Sequence, residues 1–597
     1  MSITTADYIV QRLSEWGVER VFGFPGDGLN GLLRALERNR DRLRFVQVRH
    51  QEMAAFMACG HAKWTGDVGV CCATSGPGAI HMLNGLYDAK LDHQPVVAVV
   101  GQTSLRAMGG QDRQEVDLVG LFKDVASAYV QQADSPEAVR HVIDRAVRIA
   151  RAERTVTCAI VPADVQEMDA VYGQPRANHT IRSAIGWSEP RVVPRFADLR
   201  RAADLLNAGR RVAILVGAGA LHATDEVVAV ADTLGAGIAK ALLGKAAVPD
   251  DVPFCTNAIG LLGTKPSWDL MQGCDTLLLV GTSFPYSEFL PREGQARTVQ
   301  IDLEGRMHGL RYPVDVLLTG DARETLRELL PLLSRKDDRG WQERIARAMD
   351  DWWRLMDEQG RPRLTSSGKL NPQSLFAVLS SRLPDNAILA ADSGSAVSWY
   401  ARHIRVRRGM KASLSGNLAT MLPAVPYAIA AKFAFPERAA FALVGDGAMQ
   451  MLGMNELLTA ARYYPTWSNP RLVVLVLNNQ DLNQVTWEQR ALAGDPTFDG
   501  SHAIPAFDFA RYAESIGLRG IRIERPEDVE PAWAEALVAN RPVVVDAVVD
   551  PEESPLPPHI TFDQAKKFAR SLVGEPYRGQ LHRESIRERV EELLPRR

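Results

Sequence analysis

The chain has 597 residues, too many for one hydrophobic core, so several domains are expected. Apolar residues make up 46% and charged residues 24%, the proportions of a folded globular protein and not of a disordered one. A net charge of -3, with no local basic cluster, gives no hint of a polyanion partner and no reason to expect nucleic acid.

The first 26 residues open on a Thr/Asp cap and an amphipathic helix, without the basic, apolar and small-residue order of a signal peptide. No apolar run approaches the roughly 18 to 20 residues that span a bilayer, so a cytoplasmic protein without a transmembrane segment is expected. The six cysteines, Cys59, Cys71, Cys72, Cys158, Cys255 and Cys274, form no CxxC pair and sit in apolar text, as buried thiols of a reducing compartment do.

From 5 to about 162 helical periods alternate with the short apolar runs RFVQVRH (44–50), VGVCCATSG (68–76), PVVAVVG (95–101) and TCAIVPADV (157–165). This rhythm predicts a parallel sheet covered on both faces, in a first domain over 1–170. A polar stretch at 171–194 reads as a linker. A second α/β unit over 190–335 carries a helix at 198–209 and strands at 212–220, 275–281 and 298–302. A charged segment at 334–368, with Trp341, Trp352 and Trp353, leads to a third unit over 369–550, with strands at 387–392, 439–447, 471–479 and 542–549. The expected fold class is therefore α/β, three consecutive doubly wound parallel-sheet domains. The tail, 551–597, begins proline-rich and ends in a helix with Ile586, Val590, Leu593 and Leu594 on one face. Docking on a neighbouring subunit is the preferred reading of that helix, and contact with a membrane surface the other.

The strongest chemical text is AFALVGDGAMQMLGMNELLTAARYY (440–464) followed by RLVVLVLNNQDLNQVTW (471–487). A strand is expected to end at Gly445, with Asp446 at its C-terminal tip and a helix starting after Gly447. Ligands of open α/β sheets bind at that edge. Gly445, Asp446, Gly447 and Ala448 would let the backbone and a helix N-terminus meet a phosphate. Mg2+ prefers oxygen ligands, few of them carboxylates. Asp446 supplies a carboxylate, and the strand ending at Asn478 and Asn479 brings an amide oxygen to the same edge, with a backbone carbonyl two residues on. A plain strand-turn-helix corner is the alternative.

These segments resemble the thiamine-diphosphate enzymes of the pyruvate oxidase, acetolactate synthase and pyruvate decarboxylase group, whose signature is GDG followed a helix and a strand later by NN. The resemblance implies Mg2+ held by Asp446, the side chain of Asn479 and the carbonyl of Asp481, with a loop inserted at 463–470. It covers nearly the whole chain: GVERVFGFPGDGLNGLL (17–33), VRHQEMAAFMA (48–58), ATSGPGAIHMLNGLYDAKLDHQPVVAVVGQ (73–102) and RQEVDL (113–118) look like the pyrimidine-binding domain. In this family that domain completes a site on a partner subunit, so a homodimer or homotetramer is implied. SGNLATMLP (415–423) puts Leu418 at the apolar prop that bends the cofactor; plain core is its alternative.

By register Gln51 stands where the family has a glutamate that hydrogen-bonds N1′ of the aminopyrimidine. A glutamine can donate an N–H there but cannot protonate N1′ at neutral pH. Losing a positioned acid–base group costs about 10² to 10⁴ in rate. Glu52 points about 100° away on a helix and is a poor substitute. Three readings stay open: a natural variant less dependent on that proton, a substitution introduced to trap a complex, or a protein that binds the cofactor with little turnover. His81, in SGPGAIHMLNG, matches a family active-site histidine, with a capping or core histidine as the alternative. Gln114 matches a glutamine near the substrate, although Arg113 replaces a common phenylalanine and alters the small acceptor pocket. Asn483 replaces a common glycine and is expected to reach the substrate space. Trp487 lies one residue early for a family tryptophan and takes no such role.

GAGALH (217–222) alone is a weak phosphate loop, because the third glycine is absent. With LLGKAAVPDD (242–251), VGTSFPYSEFLP (280–291) and VQIDLEG (299–305) it looks like the FAD-binding middle domain of bacterial pyruvate oxidases. Implied FAD contacts are Gly217, Gly219, Phe284, Asp302 and Asp321; a flavin-free spacer is the alternative. The whole resemblance implies an enzyme dependent on thiamine diphosphate and Mg2+, with FAD, that cleaves a C–C bond beside the carbonyl of a 2-oxo acid as pyruvate oxidase does. One alternative is a carboligase or diketone-cleaving lyase like acetolactate synthase, suggested by Arg113 and Asn483. The other is a cofactor-binding protein, suggested by Gln51.

Overall fold

The computed structural model describes residues 3–173, 179–555, 566–567 and 570–571. The expected apolar face of the tail helix, Ile586 to Leu594, lies outside them.

Three six-stranded sheets follow one another along the chain. The first contains β1 (Arg20–Gly23), β2 (Arg44–Gln47), β3 (Gly69–Ala73), β4 (Val96–Gln102), β5 (Val130–Gln132) and β6 (Val156–Pro162), in the order β2-β1-β3-β4-β6-β5. The second contains β7 (Val212–Val216), β8 (Gly237–Lys240), β9 (Cys255–Ala258), β10 (Thr276–Val280), β11 (Arg297–Asp302) and β12 (Val316–Thr319), in the order β12-β11-β10-β7-β8-β9. The third contains β13 (Ile388–Ala391), β14 (Lys411–Ser413), β15 (Ala440–Gly445), β16 (Leu472–Asn478), β17 (Arg519–Ile523) and β18 (Val543–Val548), in the order β14-β13-β15-β16-β18-β17. Every pairing is parallel. Sheets one and three thus share one topology, while the middle sheet has the dinucleotide-fold order, reversing between β7 and β10.

The near-continuous apolar text of strands such as β4 and β16 follows from burial on both sheet faces. Their side chains alternate strictly: Leu472, Val474 and Val476 join one core with Ala440, Ala442 and Val444, whereas Val473, Leu475 and Leu477 join the core on the opposite face. The first of these cores also takes in Phe22, Val46, Val96, Ala98 and Val100 of the first sheet, so the outer two domains share it. Helices Gln51–Thr65 and Ala424–Ala434 meet there so closely that a Cβ on Gly60 would lie 2.9 Å from Tyr427 Cδ1 and 3.1 Å from its Cα.

The Thr/Asp signal at the start of the chain is a capping box: Thr4 caps helix Thr5–Glu15, and Asp7 returns a bond to the Thr4 N–H. The described residues between 171 and 195 form no helix or strand, as a linker should. The charged connector is instead a packed helix, Gly340–Gln359, fixed where Trp341 Nε1 donates to the Val212 carbonyl at 3.0 Å and Asn371 Nδ2 to the Gln359 carbonyl at 2.9 Å.

Candidate functional site

β15 and β16 run side by side, with Gly445 opposite Leu477, so their C-terminal tips adjoin. Asp446, 2% exposed, starts the helical stretch that runs on into Met454–Tyr463. Its Oδ1 accepts from the Gly447 N–H at 2.9 Å and its Oδ2 from the Gln480 N–H at 2.6 Å. Gln480 can aim its N–H there because it sits in the left-handed region, at φ +60. No basic side chain pairs with Asp446 among the described residues. Burial therefore pushes its carboxyl up to about 7; the backbone N–H groups oppose this, and the nearby Asp481 adds to it.

Asn479 is also buried, and its Oδ1 accepts from the Asp481 N–H at 3.1 Å. The Asp481 carbonyl accepts from the Asn483 N–H at 2.7 Å, which leaves it a second lone pair. Above Gly445 there is open space, since among the described residues nothing stands within 4 Å of a Cβ built on it. Gly447 is confined, because a Cβ there would meet Leu482 Cδ2 at 2.7 Å. Ala448 is buried.

Among the described residues no three His, Cys, Asp or Glu side chains converge on a cation position. The donors at these tips are one carboxylate, one amide oxygen and one carbonyl. Such a set suits a hard ion that takes its other ligands from phosphate oxygens and water, as Mg2+ does. A buried carboxylate without counter-charge fits such an ion as well.

Leu418 is half-buried in the segment 415–424, which two buried carboxylates hold from either end. Asp92, from the first domain, accepts from the Gly416 N–H at 2.9 Å, the Asn417 N–H at 2.8 Å and Asn417 Nδ2 at 2.9 Å, and pairs with Lys63 Nζ at 2.6 Å. Asp392, at the tip of β13, accepts from the Leu422 N–H at 3.0 Å and the Ala424 N–H at 3.1 Å. The clamp maintains Ala419 at φ +53 and Leu422 at φ +95, conformations that L-residues rarely adopt. Asn84 Nδ2 joins Thr420 Oγ1 at 3.1 Å to Glu52 Oε1 at 2.6 Å.

In the first domain Gln51 opens helix Gln51–Thr65, capped by His50, whose Nδ1 accepts from the Glu52 N–H at 3.3 Å. Gln51 Oε1 lies 3.1 Å from His81 Nδ1, and the rings of His50 and His81 stack at 4.4 Å. Glu456 of the third domain accepts from the Arg49 N–H at 2.7 Å and so fixes the turn before Gln51; burial pushes this carboxyl up to about 7. Gln114, at φ +65, lies over Gly76, where a Cβ would come within 2.9 Å of the Gln114 Cβ. Arg113 is exposed and paired with Asp27 at 2.7 Å. Asn483 is buried and its amide donates to the Pro551 carbonyl at 2.7 Å, so it is turned toward the C-terminal segment. Trp487 Nε1 donates to that carbonyl too, at 3.1 Å.

Asp446, Asn479, Asp481 and Asn483 thus form one bonded group, and Gln51 with His81 another. Sequence reasoning missed Asp92, Lys63, Asn84, Asp392 and Glu456. Of these only Asp392 had a local signal, an acid ending an apolar strand as Asp446 does.

In the middle domain Gly217 and Gly219 follow β7, at the reversal of strand order. Cβ atoms on them would stand 2.4 Å from the Gly281 carbonyl oxygen and 2.8 Å from the Gly281 Cα, so these glycines are demanded by loop packing in any event. Phe284 is buried against Tyr286, with ring centroids 5.5 Å apart. Asp302 ends β11, half-buried, and burial pushes its carboxyl up. Asp321 caps helix Ala322–Leu329 and lies 2.7 Å from His222 Nε2.

Three family models match the chain: the N-terminal TPP binding domain of thiamine pyrophosphate enzymes at residues 3–121, their central domain at 199–329 and their C-terminal TPP binding domain at 392–547. The chain is 35% identical over 577 residues to the "putative thiamine pyrophosphate-containing protein YdaP" of Bacillus subtilis, covering 97% of each. It is 29% identical over 573 residues to the pyruvate oxidase of Lactiplantibacillus plantarum, covering 94% of this chain and 91% of that one. With the acetolactate synthase of Mycobacterium bovis the identity is 30% over 569 residues, covering 92% and 88%.

Proposed function

Since the chain belongs to the thiamine pyrophosphate enzymes, we propose that it cleaves a C–C bond beside the carbonyl of a 2-oxo acid such as pyruvate, with thiamine diphosphate held through Mg2+. The observation that carries this reading is Asp446, a buried carboxylate without a counter-charge among the described residues, at the tip of an inner strand beside the Asn479 amide. Asp446, Asn479 and the Asp481 carbonyl would hold the metal, with the open space over Gly445 admitting phosphate oxygens. When bound, thiamine diphosphate supplies the electron sink for the bond that breaks. The chain's own residues bind and shape it: Leu418, on its clamped segment, would prop the cofactor, and Gln51 would offer an N–H to the pyrimidine. His81 and Gln114 would line the substrate side. The site would be completed by a second copy of the chain, in a homodimer or homotetramer.

FAD is proposed for the middle domain, supported by its dinucleotide-fold strand order and by Gly217, Gly219, Phe284, Asp302 and Asp321 around its C-terminal edge. A cytoplasmic location is supported by six cysteines that are all buried and unpaired. No helix among the described residues is long and apolar enough to cross a membrane.

Anaerobic addition of pyruvate to protein loaded with thiamine diphosphate, Mg2+ and FAD tests the reading: bleaching of the flavin supports oxidation. A carboligation or diketone-cleavage product without bleaching would favour the second reading, for which the exposed Arg113 in place of an apolar pocket residue speaks. Absence of any turnover, also in Gln51→Glu, would leave a cofactor-binding protein.

A further inference from the structure

The two polar atoms of the Gln51 amide are treated differently. Oε1 lies 3.1 Å from His81 Nδ1. An amide oxygen only accepts, so that ring nitrogen carries the hydrogen. Nε2 lies above the turn at Gly78, 3.4 Å from where a Cβ on that glycine would stand, and has no hydrogen-bond partner among the described residues. The donor end of the amide is therefore free for an acceptor from outside the chain.

His81 is itself fixed. Its ring stacks on His50 at 4.4 Å and 28° between planes, and His50 is held as the cap of the helix that Gln51 opens. His81 is an exposed residue, which allows water to serve Nε2 while the ring keeps its hydrogen on Nδ1.

We propose that His81 is a positioning residue that locks the Gln51 amide with its N–H toward the cofactor pyrimidine, and so holds that ring in the tautomer whose N1′ is a bare acceptor. This rests on the thiamine-diphosphate reading of the site. With the amide free to turn, its oxygen could accept from the tautomer that carries a hydrogen on N1′. With the amide locked, only donors face that nitrogen, and the second tautomer meets an N–H against an N–H.

The test compares the unaltered chain with His81→Phe, which keeps a ring on His50 and removes the Nδ1 hydrogen. Near-ultraviolet circular dichroism of bound thiamine diphosphate reads the two pyrimidine tautomers. The share with a hydrogen on N1′ is expected to rise about fivefold, the ratio that one net hydrogen bond is worth. Exchange of the cofactor's C2 hydrogen in D2O should rise with it. An unmoved tautomer share at unchanged cofactor affinity overturns the proposal. In the cofactor-free protein, ¹⁵N shifts of the His81 ring, assigned by their loss in His81→Phe, are expected to show hydrogen on Nδ1; a bare Nδ1 overturns it without relying on the variant's fold. Failure of the unaltered chain to bind thiamine diphosphate with Mg2+ would overturn the reading of the site itself and this inference with it, whereas binding with an unmoved tautomer overturns this inference alone.

Discussion

Asp446 should set a pH window for loading the cofactor. Its carboxyl is held at about 7 instead of 3.8, by burial without a cationic partner. Keeping it ionised in the apo fold costs about 4 kcal/mol relative to the unfolded chain. Because the folded value is the raised one, the folded chain binds this proton more tightly. Apo stability is then highest below about pH 4 as far as this group is concerned, and declines as pH climbs from about 4 to about 7. A divalent cation must displace the proton, so affinity for Mg2+ with thiamine diphosphate should fall about tenfold per pH unit below about 7 and level off above it. A phosphate loses its own second proton near pH 6, so the interval from about 6 to 7 reports chiefly on Asp446. Asp446→Asn removes the carboxylate. It should flatten the apo decline and abolish the roughly 2.7 kcal/mol of stabilisation that a ligand confers at a hundredfold excess over its Kd. Thermal unfolding of both proteins, with and without Mg2+ and thiamine diphosphate at about pH 6, 7 and 8, reads both effects. A cofactor-induced shift equal at all three pH values, or one retained by Asp446→Asn, would refute the role assigned to this carboxylate.

Gln51→Glu restores a group that can protonate N1′ and should raise turnover of the accepted 2-oxo acid by about 10² to 10⁴, read as kcat; no gain would show that ring protonation does not limit this enzyme. Asp92→Asn leaves Lys63 buried without its nearest counter-charge and loosens Gly416 and Asn417, so a loss of about 3 to 5 kcal/mol in unfolding free energy together with weaker thiamine diphosphate binding is expected. Gly60→Val drives a side chain into Tyr427 and should cost about 1 to 3 kcal/mol, seen as a lower Tm; an unchanged Tm would mean that the two helices separate easily. Gly281→Ala, at φ +55 and with its Cβ 2.6 Å from the Gly219 Cα, should lower the FAD content of purified protein, read from its visible absorption.

The sheets were legible mainly where their strands are inner ones, with β2 the edge strand that was also read. β3, β4, β6, β7, β10, β15, β16 and β18 each pass between two neighbours under covered faces, and each stands in the sequence as an apolar run. The strands that escaped reading are β5, β9, β12, β14 and β17 at sheet edges, with the short β1 and β8. An edge strand is half open to solvent, so β12 alternates buried and exposed residues, and β17 carries Arg519 and Arg522. β8 is inner but ends in the buried Lys240, tolerated because Asp250 pairs with it at 2.6 Å and the Val248 carbonyl accepts from it at 2.8 Å. The repeated topology of the outer sheets had no sequence signature, since parallel strands pair across helices and strand order is set by packing.

The site divides the same way. Contacts along one stretch of chain, such as Asp446 with Gly447, leave a motif; contacts such as Arg49 with Glu456 or Gly416 with Asp92 join residues hundreds of positions apart and leave none. Asp392 and Asp446 make the limit concrete. Each follows an apolar strand, each is buried, each is pushed up to about 7, and their strands β13 and β15 are neighbours. Local text offers no ground to separate them. The surroundings do: Asp392 spends both oxygens on the N–H groups of Leu422 and Ala424, about thirty residues on, and so acts as a clamp. Among the described residues Asp446 accepts only from N–H groups at the two strand tips, beside open space over Gly445. A buried acid whose partners all lie inside the fold shapes the fold. One beside unfilled space, with its charge uncompensated, is suited to a cation from outside, and this difference is why Asp446 and not Asp392 is the proposed metal ligand.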